Sequence, residues 1–248
     1  MEIIDYDRPY LPGAPAVPLK ETCRVGTDRT IPLWSYHARR LGQGGCSREV
    51  VDRATEAVHS ALARYEERIT PRVRLTLQVL TDGTPHISIE RRLSSLDVPR
   101  GVRGVPVVMP RRPELPSGAA KPVDRTYWDE AQRRARERGG DQAIIMDEVG
   151  TIIDGGTATV MLRSGRTLTT APSPHAIAGV GRAWVIDHAG ELGVRFEIRP
   201  FILEEVDRAE EVIFINAFGG ARAMRGKADV VARRIDGRLK RLWGSETM

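Results

Sequence analysis

The apolar positions of "SREVVDRATEAVHSALARYEERI", residues 47–69, fall at Val50, Val51, Ala54, Ala57, Val58, Ala61, Leu62 and Tyr65. That recurrence every three or four residues predicts an amphipathic helix, with Ser47 placed to cap its first turn. The period then changes to two. "VRLTLQVL" (73–80) and "HISIERRL" (86–93) alternate apolar and polar residues around "TDGTP", which predicts a β-hairpin. Upstream of both, a Pro-rich opening runs to Pro18, "KETCRV" predicts a strand, and "WSYHARRLGQ" predicts a short helix ending at Gly44-Gly45.

The second half alternates faster. A helix within "SGAAKPVDRTYWDEAQRRARERGG" (117–140) is predicted to stop at Gly139-Gly140, and the strands "QAIIMD", "GTIID" and "TATVML" follow. Gly165 turns the last of them into "RTLTTA", and a longer helix is predicted over "PHAIAGVGRAWVIDHAGELG" (174–193). Then come the strand "VRFEIRP", a short acidic helix near "LEEVDRAE", the apolar strand "EVIFINAF", a turn at Gly219-Gly220, and a C-terminal amphipathic helix, "DVVARRIDGRLKRLW". Strands outnumber helices in both halves without regular β-α-β alternation, so the predicted class is α+β. The Pro, Gly and Arg-rich stretch from Pro99 to Pro116, with a brief strand "GVPVVM", marks the domain boundary. The expected division is a small N-terminal domain over 1–109, a linker over 110–118 and a larger C-terminal domain over 119–248.

Composition narrows the function classes. At 248 residues, 41% hydrophobic and 29% charged, the chain has the make-up of a globular protein with a sizeable core. No apolar run reaches the length of a membrane span, and the first twenty residues lack the continuous apolar stretch of a signal peptide. The two cysteines, Cys23 and Cys46, cannot make a zinc site alone, and a reducing, cytoplasmic setting is expected. A net charge of +5 permits attraction to phosphates, but the basic residues are interspersed with carboxylates and aromatics are only 5%, so no nucleic-acid platform is expected. HExxH, CxxC, GxSxG and paired-carboxylate signatures are all missing, which leaves metal, serine-hydrolase and glycosidase chemistry without an anchor.

What remains is a set of residues able to grip an anion or hold a carbonyl. Almost all the basic residues are arginines; the lysines are Lys20, Lys121, Lys227 and Lys240. A guanidinium stays protonated, whereas an amine can act as a base or a carbonyl nucleophile, so Lys121, just before a helix, stands out against the ordinary role of a solvated charge. "SPHAIAGVGR" offers small residues at a helix start, where N–H groups can close on a phosphate, or simply a tight packing turn. "INAFGG" runs a buried strand into two glycines, as an anion nest or an ordinary hairpin turn. Arg40 could pair with a phosphate or cover a solvated helix face, and Asp154 ends an apolar strand where it caps a turn or faces a site. His37 reads as a hydrogen-bonded structural histidine. Taken in order, a lysine, a downstream carboxylate, two anion turns and an upstream arginine are the parts of a pyridoxal phosphate site.

The chain resembles the class IV aminotransferases, the pyridoxal-phosphate fold type IV family that includes branched-chain and D-amino-acid aminotransferases and aminodeoxychorismate lyase. "KPVDR" is similar to the family's Lys-x-x-Asn-Arg segment, which gives Lys121 the role of carrying the cofactor aldehyde. "GGDQAIIMDEVGTIIDGG" resembles the run that ends in the glutamate facing the pyridine nitrogen, and Asp154 occupies its place. "TLTTAPSPHAIAGVGR" resembles the phosphate turn, pointing to Val180 and Gly181. "EVIFINAFGGARAM" resembles the last signature, where Asn216 and Ala217 complete the phosphate cup, and "SYHARRL" resembles the early His-x-x-Arg-Leu signature, making Arg40 the phosphate arginine. The resemblance implies a two-domain α+β fold, an amino-acid or amine substrate, pyridoxal 5'-phosphate, and a homodimer without membrane or nucleic-acid partners.

Departures accompany these matches. Asp154 is one methylene shorter than the usual glutamate, Thr159 replaces an asparagine, and Gly181 replaces a Thr or Ser. The N-terminal Gly-Asp-Gly-x-Phe-Glu signature survives only as a trace in "KETCRV", and the Arg-Gly-Tyr motif is missing. Transamination, a lyase reaction releasing pyruvate, and a non-catalytic family member are the three expected alternatives.

Overall fold

The structure is a computed structural model that describes residues 13–70, 72–110, 120–173 and 175–244. The Pro-rich opening as far as residue 12 and nearly all of the expected linker therefore lie outside the described residues. The chain divides into two compact units. The first holds the residues up to Leu93, the segment around Lys121 as far as Asp124, and the chain from Lys240; the second holds the chain from Ser94 to before that segment and Arg125–Leu239.

In the first unit, β1 (Leu19–Arg24), β2 (Val73–Val79) and β3 (Pro85–Arg91) form an antiparallel sheet in the order β1-β2-β3. The expected hairpin is present, with Val79 opposite Pro85 and Val73 opposite Arg91. α1 (Trp34–Gln43) and α2 (Arg48–Arg64) also match their periodicity, and Ser47 caps α2 by accepting from the Val50 N–H at 3.3 Å. Burial explains why the patterns hold. Leu75 and Leu77 of β2 share one core with Val51, Ala54, Val58 and Leu62 of α2.

The second unit contains two sheets. β4 (Gly104–Val108) runs parallel to β5 (Gln142–Met146), which pairs antiparallel with β6 (Ile152–Gly155); α3 (Thr126–Glu137) lies between β4 and β5 in the chain. The larger sheet has the order β11-β10-β7-β8-β9, built from β7 (Thr159–Ser164), β8 (Thr167–Thr170), β9 (Arg195–Ile198), β10 (Glu211–Asn216) and β11 (Gly220–Ala223). Gly165, at φ +57°, makes the tight β7–β8 turn that an L side chain would strain. α4 (Val180–Asp187), α5 (Leu203–Arg208) and most of α6 (Val230–Leu242) complete the unit around a core that includes Val160, Val212 and Phe214. Among the described residues no helix is long and apolar enough to cross a membrane.

Two expectations differ from what is observed. The units are not the linear halves 1–109 and 119–248. Parallel pairing of β4 with β5 places 104–108 in the second unit. The Lys121 segment instead extends the first unit's sheet: Lys20 N–H donates to the Lys121 carbonyl at 2.8 Å, Val123 N–H donates to the Pro18 carbonyl at 2.8 Å, and Leu19 bridges Pro122. The helix expected over 174–193 is confined to Val180–Asp187. Its start is delayed because Ile177 N–H is drawn to a side chain rather than to a helical carbonyl.

Candidate cofactor site

Lys121 is held by that backbone pairing on the open edge of β1, and its Nζ donates to the Thr22 hydroxyl at 3.0 Å. Arg40 lies on α1, almost wholly buried, with Nε donating to Glu21 Oε1 at 2.9 Å and Nη2 to Glu21 Oε2. The other side of Oε2 is taken by His37 Nδ1 at 2.5 Å. Burial raises the Glu21 pKa, but the Arg40 charge and the His37 bond outweigh it and hold the carboxyl below its usual range. Burial is the largest influence on His37 and pushes its pKa below the ordinary value, with Glu21 opposing. His37 is therefore a neutral imidazole whose Nδ1–H serves the carboxylate, as expected for a structural histidine. Lys121 acts electrostatically on both His37 and buried Cys23, so it shares this neighbourhood. Cys23 and Cys46 are free thiols.

The second unit gathers the remaining candidates. Asp154 ends β6 and is buried. Its Oδ1 accepts from Gly155 N–H at 2.9 Å, and its Oδ2 accepts from Trp128 Nε1–H at 3.2 Å and Ile177 N–H at 3.1 Å. Burial pushes its pKa up to about 6, opposed by these three donors and by the Arg125 charge. Asp154 thus does more than cap a turn: it is a buried carboxyl whose hydrogen bonds all come from uncharged N–H groups.

Ile177 leads directly into α4, whose N-cap, Gly179, is placed where an added Cβ would sit 2.4 Å from Thr159 Oγ1. An added Cβ at Gly181 would sit 2.8 Å from Ile215 Cγ1 and 3.4 Å from the Asn216 carbonyl carbon. The first turn of α4 is therefore pressed against the end of β10, which brings Gly181 to Ile215 and Asn216. The first intrahelical bond is Ala183 N–H to the Gly179 carbonyl, so the helix presents the amides of 180–182 at its start. Asn216 shapes the neighbouring turn: Nδ2 donates to the Thr157 carbonyl at 3.1 Å, and Oδ1 accepts from Phe218 N–H at 3.1 Å and Gly219 N–H at 2.6 Å. Asp154, Thr159, Thr170 and Arg182 line one recess of this unit.

Sequence reasoning missed four residues. Glu21 and Thr22 sit in the weakly matching "KETCRV", where alternation along β1 gives them opposite faces. Trp128 and Arg182 read as an apolar helix position and one arginine among many, and nothing local marks either as a neighbour of Asp154.

These arrangements fit pyridoxal phosphate in two respects. A buried carboxyl bonded only by neutral donors is electrostatically suited to a cationic N–H partner such as a pyridinium. Gly179 and Gly181 let the start of α4 pack closely on Thr159 and Ile215, and a helix N-terminus there favours an anion.

Comparison with known proteins agrees. The profile of the class IV amino-transferases matches residues 19–225. A probable branched-chain-amino-acid aminotransferase of Aquifex aeolicus is 27% identical over 175 residues, covering 66% of this chain and 56% of that protein. The chain thus spans little more than half the length of this curated relative. A fold IV transaminase of Curtobacterium pusillum superposes with a TM-score of 0.73 at 19% identity, covering 91% of this chain and 84% of the other. A 4-amino-4-deoxychorismate lyase of Pseudomonas aeruginosa does so with a TM-score of 0.70 at 18% identity, covering 91% and 90%. The fold is the α+β arrangement of the fold IV transaminases, and the chain belongs to the class IV aminotransferase family.

Proposed function

We propose that the protein is a pyridoxal-phosphate-dependent aminotransferase acting on an amino acid or related amine through Lys121. The observation that carries this reading is the buried Asp154 carboxyl, which shares Ile177 with the approach to α4, whose first turn abuts the 216–217 turn. When bound, pyridoxal phosphate supplies an aldehyde for the amine and a protonated ring that accepts the electron pair left at Cα. Asp154 holds the ring nitrogen's proton. Arg40, the amides at Val180 and Gly181, and the Asn216–Ala217 turn bind the phosphate. Gly181 offers an amide but no hydroxyl, so the backbone does more of that work here. Lys121 Nζ removes the Cα proton and returns it, with the Thr22 hydroxyl orienting the amine. The same reading takes the protein to be a cytoplasmic homodimer, which sedimentation at working concentration tests.

The test is spectroscopic and chemical. Protein reconstituted with pyridoxal phosphate should be yellow, and borohydride should fix the cofactor covalently to Lys121 in the wild type and not in Lys121→Ala. Wild-type protein that takes up no cofactor sinks the reading and leaves the non-catalytic alternative. A second reading, a lyase releasing pyruvate, is favoured by the segments "KPVDR" and "INAF". Product formation that strictly requires a keto-acid acceptor decides for transamination, and pyruvate formed from aminodeoxychorismate without one decides for the lyase.

A further inference from the structure

We infer that Trp128 is a positioning residue for Asp154, its indole N–H fixing Oδ2 so that the short side chain presents its carboxylate to the cofactor's ring nitrogen. The inference rests on the assignment of Asp154 made above. An aspartate in place of the longer glutamate has less reach, and a carboxylate with one fewer methylene must be held where it can still meet a cation. Here two donors from different elements converge on one oxygen: Trp128 Nε1–H at 3.2 Å from α3, and Ile177 N–H at 3.1 Å from the segment before α4. Gly155 N–H takes Oδ1, so both ends of the carboxyl are fixed.

Trp128 is itself immobilised. Only 1% of it is exposed, the edge of the Tyr127 ring meets it at 5.6 Å and 84°, and the Arg125 guanidinium lies 5.1 Å from its centroid. A cation over the indole face draws electron density from the ring and strengthens its N–H as a donor. Arg125 also donates to the Gly156 carbonyl at 2.7 Å, tying the turn that follows Asp154 to the start of α3. An indole can only donate, so its bond favours the ionised carboxylate, the form a pyridinium requires. The charged groups facing Asp154 are Arg125, from the residue preceding α3, and Arg182, from α4; the rest of the recess is apolar apart from Thr159 and Thr170.

The test reads the indole directly. In cofactor-free wild-type protein, the Trp128 Nε1–H resonance, assigned by its loss in Trp128→Phe, should titrate with a midpoint near pH 6 and should stop titrating in Asp154→Asn. In Trp128→Phe, the Ile177 amide, which reports on the same carboxyl, should titrate about one pH unit higher, because one of three donors to the ionised form is gone. The apparent Kd for pyridoxal phosphate at neutral pH should rise about tenfold in that variant. An indole resonance indifferent both to pH and to Asp154→Asn overturns the inference, and this arm holds even if Trp128→Phe fails to fold, because the indole can then be assigned in the wild type from its nuclear Overhauser contacts with Tyr127 and Asp154→Asn keeps it. An unchanged Ile177 midpoint and Kd in a folded Trp128→Phe protein overturn it as well. If both titrations behave as expected but the wild type never binds the cofactor, the proposed function fails while the Trp128–Asp154 pairing stands.

Discussion

The buried Glu21–Arg40 pair offers the most direct quantitative check on the first unit. Glu21 is 1% exposed, its two oxygens grip Nε and Nη2 of Arg40, and its second oxygen also holds His37. Removing one member of a buried pair strands the other's charge, which costs about 3–5 kcal/mol. Glu21→Gln is therefore expected to lose about that much, since a guanidinium keeps its charge and the new amide would point N–H groups at other donors. Arg40→Met should cost less. Glu21 then still has His37, which can take up a proton and become the missing cation. In that variant the Arg40 charge no longer opposes protonation of His37, so the His37 pKa should move up from its lowered value and the charged imidazole should support Glu21 more at low pH than at high pH. The wild type should behave oppositely at the acid end. Glu21 has a folded pKa below its unfolded value, so its stabilisation is complete above about pH 4.5 and is lost as pH falls through the lowered one. Urea denaturation at pH 5.5 and 8 of the wild type, both single variants and the double variant Glu21→Gln/Arg40→Met gives the coupling energy, read from midpoints at constant slope. A coupling of at least about 2 kcal/mol is expected, with Arg40→Met the more stable single variant at the lower pH. Additive losses below about 1 kcal/mol would refute the reasoning, because they are what a solvated pair gives.

Two further outcomes follow from the second unit. Asp154 has its pKa raised by burial from 3.8 to about 6, so in the cofactor-free protein its favourable contribution is present below pH 3.8 and is lost as pH rises through 6. The stability difference between the wild type and Asp154→Asn should therefore shift by about 2 kcal/mol against the wild type from pH 4 to pH 7.5, and a difference flat in pH would contradict the burial argument. Gly179→Ala should cost about 1–3 kcal/mol because its Cβ would meet Thr159 Oγ1 at 2.4 Å, and Thr159→Ala should recover most of that loss in the double variant. Thermal or urea midpoints that fail to show the recovery would mean that α4 begins elsewhere.

How much of this was legible in the chain depends on how far each signal had to travel. The α2 face and the β2–β3 hairpin were readable because each pattern is local and one side of it is buried; the cap at Ser47 lies three residues from its partner. The candidate site residues were readable as short motifs for the same reason. The partners were not. Glu21 meets Arg40 across 19 residues, Trp128 meets Asp154 across 26, and Lys121 reaches Thr22 across 99, distances over which periodicity carries no information. The delayed start of α4 shows which force prevails when local and distant demands conflict. "HAIAG" contains good helix formers, and an earlier start would gain only a few tenths of a kcal/mol per residue. Asp154, 23 residues upstream, stands to lose far more if Oδ2 goes short of a donor, because a buried carboxyl without hydrogen bonds costs several kcal/mol. Ile177 N–H therefore turns to the carboxyl, the residues around it stay outside the helix, and the helix opens at Gly179. The carboxylate assigned to the cofactor's ring thus also sets where the helix assigned to its phosphate begins, so a substitution at 154 should disturb both ends of the cofactor site together.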